Sequence, residues 1–220
     1  MRIELVGIEK SFGKQVILSQ LDISISSGEM VLITGKSGSG KTTLLNIMGL
    51  IERKDKGDII YDDQVITNER QKRKLLSENI GFIFQNYGLV ENETVYENLS
   101  VVKRLYENRK KVRYTLMYDA LLQVGLNEQF LGKKVYECSG GEQQRIAIAK
   151  MLLKNCDVIF ADEPTASLDD ENKINVLEHL KSLHKLGKTI IMVSHDKDIC
   201  DYCNRMITLH FSGIVSSGKG

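Results

Sequence analysis

Only one proline, Pro164, occurs in the 220 residues, directly after Asp162-Glu163. Cysteine is also sparse. Four are spread along the chain, which excludes a disulfide framework. Cys200 and Cys203 form a C-x-x-C, but no second pair or nearby His pattern accompanies them, so ordinary reduced thiols are expected. Lys plus Arg number 30 against 29 Asp plus Glu. The near balance gives no global field for nucleic acid or an anionic membrane. No apolar run approaches the roughly 18 residues of a membrane span. Met1-Arg2-Ile3-Glu4 lacks a signal-peptide core, so a cytosolic chain, or one held at a membrane through a partner, is expected. No internal repeat or low-complexity linker appears. With 42% hydrophobic residues, the length suits one compact α/β domain, or one with a small inserted lobe.

What is present centres on Gly35-Lys36-Ser37-Gly38-Ser39-Gly40-Lys41-Thr42, a match to G-x-x-x-x-G-K-[ST]. Met30-Val31-Leu32-Ile33-Thr34 before it reads as a buried parallel strand. Thr43-Leu44-Leu45-Asn46-Ile47-Met48 after it reads as a buried helix. Gly35, Gly38 and Gly40 let the backbone curl without a Cβ in the way. The curl aims the N–H groups around Lys36, Ser37 and Ser39 inward, a nest for anionic oxygens. The helix start adds its unsatisfied N–H groups. Lys41 supplies positive charge for β- and γ-phosphates, Thr42 a hydroxyl for Mg²⁺, and Thr43 a further phosphate contact. Chance alone provides such a match in roughly one chain of this length per hundred. The bland reading, a glycine-rich turn with a solvated lysine, loses most of its weight to the strand and helix around it.

The remaining chain supports an alternating pattern. Residues 2–8 read as a half-buried strand, Ser11-Phe12-Gly13-Lys14 as a turn, and 15–18 and 21–25 as two further strands. They follow too closely for helical crossovers, so a small antiparallel sheet is expected. Residues 56–66 read as a hairpin about Asp62-Asp63. Residues 80–84 form a second buried strand, ending on Gln85. Helices are expected over 94–107 and 110–124, the second with an apolar face of Tyr114, Met117, Tyr118, Leu121, Leu122 and Val124. The basic clusters 70–74 and 109–113 read as solvated faces, with contact to a partner or lipid headgroups as the less favoured reading.

Cys138-Ser139-Gly140-Gly141-Glu142 opens a helix to about Lys154, with Ser139 and Glu142 as a capping box. Val158-Ile159-Phe160-Ala161 is an apolar strand ending in Asp162-Glu163. Two adjacent carboxylates at a strand end are costly to bury unpaired. A Mg²⁺ and a catalytic proton transfer would account for both. Ser167-Leu168-Asp169 follows on a loop, then a helix from about Glu171 to Leu186. Thr189 to Val193 is a strand ending in Ser194-His195-Asp196. The tail 206–217 reads as two short strands. Buried strands alternating with helices indicate a doubly wound parallel sheet, whose functional residues belong at the strand C-terminal ends. Gly35, Gln85, Asp162 and His195 all fall there.

With the Ser139-Gly140-Gly141 motif added to the loop, Gln85, the 158–163 acidic strand, Ser167-Leu168-Asp169 and His195, the chain resembles the nucleotide-binding subunit of an ATP-binding-cassette (ABC) transporter over essentially its whole length. The resemblance implies a P-loop NTPase (RecA-like) parallel-sheet core, an N-terminal antiparallel β subdomain and an inserted α-helical subdomain. It sets one domain over 1–220, with core and β subdomain at 1–85 and 158–220 and helices at about 86–157. It implies a homodimer closed head to tail on two ATP. Each ATP would lie on Gly35, Lys36, Ser37, Gly38, Ser39, Gly40, Lys41, Thr42 and Thr43 of one copy, with its adenine on Phe12. Ser139, Gly140, Gly141, Glu142 and Asp169 of the other copy would cover it. Asp162, Thr42 and Gln85 would hold Mg²⁺. Glu163 would polarise water, with His195, Lys41 and Gln85 completing the catalytic set. From spacing alone, Phe12 reads as an edge contact; the family pattern turns it into a stacking platform.

The same resemblance implies further partners: an integral membrane permease docked beside Gln85 on residues 86–93, with Tyr87, Leu89 and Val90 as its apolar points, and an extracytoplasmic adaptor. It implies no nucleic acid, and a peripheral place at the cytoplasmic face of the membrane. Phrases such as Ala161-Asp162-Glu163-Pro164-Thr165 are similar to the MacB and LolD group, which drives efflux of peptides and antibiotics or lipoprotein release. Two positions depart from the family signature: Cys138 stands for Leu and Glu142 for Gln. Competing readings are a soluble ABC protein of DNA repair or translation, a catalytically dead cassette, and a small-molecule kinase. The short stretch from Thr42 to Cys138 without a heptad run disfavours repair, the single cassette disfavours translation, Lys41, Asp162, Glu163 and His195 disfavour a dead cassette, and the Ser-Gly-Gly helix start disfavours the kinase.

Overall fold

Two sheets share one core in the computed structural model, which describes residues 1–84, 87–102, 110–166, 168–210 and 215–219. The first sheet is antiparallel and holds β1 (Ile3–Phe12), β2 (Gln15–Ile25), β4 (Lys56–Tyr61) and β5 (Gln64–Val65), in the order β2-β1-β4-β5. Residues 15–25 are one strand, not the two expected. Ile8 pairs with Leu21 but Lys10 with Leu18, so an extra residue bulges out near Gln20, whose φ is 48°. The bulge absorbs the polar Ser19-Gln20 without breaking the ladder. The expected turn at 11–14 shrinks to Gly13-Lys14, because Ser11 and Phe12 still pair with Val16 and Gln15. Asp62 and Asp63, at φ 45° and 65°, turn the β4–β5 hairpin.

The second sheet runs β10-β9-β3-β8-β7-β6. Its members are β3 (Met30–Gly35), β6 (Ile80–Ile83), β7 (Val158–Asp162), β8 (Thr189–Val193), β9 (Arg205–Leu209) and β10 (Val215–Lys219). All are parallel except β10, which pairs antiparallel with β9. β3, β7 and β8 are apolar along most of their length because both faces are covered. On β3, Val31 and Ile33 face helix α1 (Lys41–Met48) and the antiparallel sheet. Met30 and Leu32 face the opposite way, onto α5 (Gly140–Lys154) and α6 (Asp170–Lys185). Phe160 is fully buried, a burial contributing about 1.5–3 kcal/mol.

Three more α-helices and three short 3-10 helices, Glu128–Gly132, Val135–Glu137 and Lys197–Tyr202, complete the described elements. Helix α2 (Glu69–Glu78) carries the 70–74 basic cluster and was not legible as a helix beforehand. It buries no residue, and a reciprocal cap between Asn68 and Gln71 starts it. Helix α3 (Val95–Ser100) is the described part of the expected 94–107 helix; residues 103–109 lie outside the described residues. Helix α4 (Lys110–Gln123) buries Met117, Ala120 and Leu121. Tyr114 and Leu122 of its expected apolar face are exposed, because the core covers only the row 117, 120, 121 and 124. The parallel register aligns Ile33 with Val193, Asp162 with Val193 and Gly35 with Leu209. That alignment brings the ends of β3, β7 and β8 to one edge.

Candidate functional site

The loop after β3 is shaped by contacts that exclude side chains. Gly35 has φ 152°, and a Cβ there would lie 2.4 Å from the Leu209 carbonyl oxygen. Gly40 is left-handed, at φ 93°, and a Cβ would lie 2.7 Å from Ile17 Cγ2. Helix α1 then starts at Lys41 with neither a side-chain cap nor an acidic residue in its first turn. Its first N–H groups are left for an external anion. Lys41 Nζ folds over the loop and donates to the carbonyls of Gly35 (3.0 Å) and Lys36 (3.1 Å). Ser39 is 2% exposed, and its Oγ has no partner among the described residues. An orphaned buried hydroxyl, uncapped N–H groups and an ammonium over one concave turn fit a polyphosphate.

Asp162 and Glu163 diverge from the end of β7. The Thr42 hydroxyl donates to Asp162 Oδ1 at 3.2 Å. Glu163 turns the other way, at φ 45°, a sparsely populated backbone state held by its N–H bond to the Val193 carbonyl at 2.9 Å. The Ser194 hydroxyl donates to Glu163 Oε2 at 3.1 Å, and His195 Nδ1 lies 2.9 Å from Oε1. Burial pushes the Asp162 carboxyl up, with Glu163's charge adding to that, while the Thr42 bond and Lys41 oppose it. Among the described residues no three His, Cys, Asp or Glu cluster as metal ligands. One carboxylate beside one hydroxyl fits Mg²⁺, which completes its shell with water and phosphate.

Ser139 caps α5. The Glu142 N–H donates to Ser139 Oγ at 3.3 Å, and Glu142 Oε2 accepts from the Ser139 N–H at 2.7 Å. The Glu142 carboxylate is thereby engaged within its own helix turn. Asp169 caps α6 through the Asn172 N–H (2.9 Å) and side-chain amide (2.9 Å to Oδ2). These bonds lower the Asp169 pKa. Asn172 Oδ1 also accepts from Arg145 Nη1 at 3.2 Å, which ties the two helix starts together. None of the described hydrogen bonds of Ser139, Glu142 or Asp169 reaches the 35–42 loop, Asp162, Glu163, Ser194 or His195. Within one chain the predicted residues thus form two hydrogen-bonded sets, the second joined through Asn172 and Arg145.

The family profile described as ABC transporter matches residues 18–166. The chain belongs to the ABC transporter family. It is 39% identical over 217 residues to the macrolide export ATP-binding/permease protein MacB of Campylobacter jejuni, covering 98% of this chain and 34% of that protein. The chain thus spans about a third of the length of the MacB proteins it matches. It is 37% identical over 219 residues to an uncharacterized ABC transporter ATP-binding protein of Methanocaldococcus jannaschii, covering 97% of both. Among solved structures it is similar to the ATP-binding cassette MJ0796 as a dimer in a post-hydrolysis state bound to ADP and Pi. That match has a TM-score of 0.87 and 32% identity, and covers 99% of this chain and 98% of that one. The fold is therefore that of an ABC ATPase, and the chain is an ATP-binding, ATP-hydrolysing cassette of that family.

The remaining predicted positions of the cassette divide as follows. Phe12 is 51% exposed at the β1 turn, with Lys10 Nζ 4.8 Å from its ring centroid. Gln85 and Ser167 lie outside the described residues. Leu89 packs against the core, whereas Val90 is 60% exposed. Cys200 and Cys203 are free thiols, and burial pushes Cys203 up to about 12. Sequence reasoning missed Ser194, Lys10 and Asn172. Three polar residues directly after a buried strand could have flagged Ser194. A lysine on the buried row of β1 could have flagged Lys10, and the position three residues after the Asp169 cap could have flagged Asn172.

Proposed function

We propose that this cassette is the ATP-driven motor of a membrane exporter, working as a head-to-tail pair. The two-group arrangement supports this reading: the loop and carboxylates of one copy would bind ATP that the partner's Ser139, Gly140, Gly141 and Glu142 and its Asp169 loop cover. Phe12 would carry the adenine. Lys41, the loop N–H groups of 35–40, Thr42 and Thr43 would hold the phosphates. Mg²⁺, held by Thr42 and Asp162 with Gln85, supplies charge neutralisation on the phosphates when bound. Glu163 would accept the proton of the attacking water, oriented by Ser194 and His195, with His195 also facing the γ-phosphate. Loss of that phosphate would let the pair open, a ligand-driven switch. The single observation that carries the reading is the divergence of Asp162 toward Thr42 and Glu163 toward Ser194 and His195.

No helix among the described residues is long and apolar enough to cross a membrane. We place the cassette at the cytoplasmic face, docked on a separate integral membrane permease through the groove beside Gln85, with the inserted helical subdomain at about 86–157. Peptides or antimicrobials are the proposed cargo, and an extracytoplasmic adaptor a further partner. Two measurements test this. ATPase activity of the dilute cassette should rise more steeply than linearly with its concentration. Val90→Glu should release it from membranes while its ATPase in solution stays intact. A strictly linear activity would count against the pair, and wild-type membrane retention against the docking face.

A further inference from the structure

A cleft of about 330 Å³ opens between the end of α2, the edge strand β6, the Tyr87-Gly88 turn, the residue pair after α3, and α5. Its wall is apolar: Phe82, Phe84, Val101 and Met151 line it. The rings of Phe82 and Phe84 stack with centroids 5.3 Å apart. Two lysines intrude on this surface. Lys150 and Lys154 are one turn apart on α5, so they share a face, and both are half-buried and line the cleft. Among the described residues Lys150 Nζ reaches only the Gly88 carbonyl, at 3.3 Å. Lys154 Nζ donates to the carbonyls of Leu76, at 2.6 Å, and Ile80. Among the described residues no carboxylate lines the cleft.

The contrast with other sheltered lysines is direct. Lys10 Nζ sits 2.7 Å from Glu52 Oε1. Lys173 pairs with Asp196. Among the described residues neither Lys150 nor Lys154 forms an ion pair, although half-burial makes a lone charge costly.

We infer that this cleft receives an apolar segment of the permease carrying one Asp or Glu, whose carboxylate closes on Lys150 with Lys154 behind it. The inference rests on the transporter reading above and names the chemistry of the docking segment. Burial lowers the pKa of both ammoniums, and Lys154's charge lowers Lys150 further; an incoming carboxylate favours the charged form and opposes both effects. The apolar wall supplies area to bury, with Val101 59% exposed at its rim. The charge pair supplies register and discrimination more than affinity. A wrong segment without a carboxylate would leave two cations stranded under it.

The test places a photo-crosslinking phenylalanine at Val101 and irradiates the cassette with membranes of its own cells. Mass spectrometry then sequences the attached peptide. The expected peptide comes from a membrane-spanning protein and has Asp or Glu within about one helical turn of the crosslink. A membrane-protein peptide without that carboxylate overturns the inference and leaves the transporter reading standing, as does labelling of lipid alone with the cassette still on membranes. No membrane-protein label, with no co-sedimentation of the cassette, overturns both. In a second arm, Lys150→Glu should lower membrane co-sedimentation at least about tenfold with soluble ATPase unchanged. Reversing the permease carboxylate to Lys should restore it, the pairwise coupling a double-mutant cycle isolates. Wild-type sedimentation of Lys150→Glu would overturn the inference.

Discussion

Glu163→Gln separates the charge of this side chain from its geometry. The carboxylate is held at Oε2 by the Ser194 hydroxyl and lies 2.9 Å from His195 Nδ1 at Oε1. An amide can keep both contacts: its oxygen accepts from Ser194, and its nitrogen donates to an unprotonated Nδ1. What disappears is the negative charge that draws a proton from water. Positioned acid–base groups contribute about 10²–10⁴ in rate, or roughly 3–5 kcal/mol of barrier. The variant is expected to bind ATP normally, to hydrolyse it at least about 10²-fold more slowly, and to accumulate as an ATP-bound dimer. Single-turnover hydrolysis beside gel filtration with MgATP reads both quantities. Glu163→Gly adds a control on stability. The native φ of 45° costs a non-glycine residue about 1–3 kcal/mol, and glycine adopts it freely. That variant should be as inactive as the amide yet melt no lower than wild type. If Glu163→Gln turned over within about threefold of wild type, far inside the range expected of a removed base, the assignment of the base would be wrong.

Three further variants test the same geometry. Asp162→Asn should raise the melting temperature of the nucleotide-free cassette at neutral pH. A carboxyl whose folded pKa is raised opposes folding once ionised, so the gain is full above the folded value and vanishes below the ordinary 3.8; melting curves across pH check it. The same change should remove the Mg²⁺-dependent part of ATP affinity. Lys41→Ala should weaken or abolish MgATP binding in calorimetry, and unchanged affinity would mean the loop is misassigned. Ser139→Arg should leave ATP binding to one copy intact while blocking dimer formation and hydrolysis. Normal turnover of that variant would refute the shared site.

Short-range chemistry was legible in the residues alone. The G-x-x-x-x-G-K-[ST] loop needs only local glycines and a lysine, so its position and the α1 start could be read directly. The Ser139–Glu142 cap closes within one turn, and the β3, β7 and β8 runs declare themselves because both their faces are buried. Helix α2 was not marked by an apolar period because its only apolar residues, Leu75 and Leu76, are adjacent and only partly buried. The bulge at Gln20 escaped because register depends on the partner strand. Tertiary structure alone decided which way two neighbouring carboxylates point. Thr42 lies 120 residues from Asp162 in sequence, and the pairing of β7 with β8 supplies the Val193 carbonyl that holds Glu163 at positive φ. It also decided that Lys150 and Lys154 enter an apolar cleft rather than water. That depends on Phe82, Phe84 and Val101, which reach α5 only once the chain has folded. Helical spacing says which residues share a face, but what covers that face is set by long-range packing.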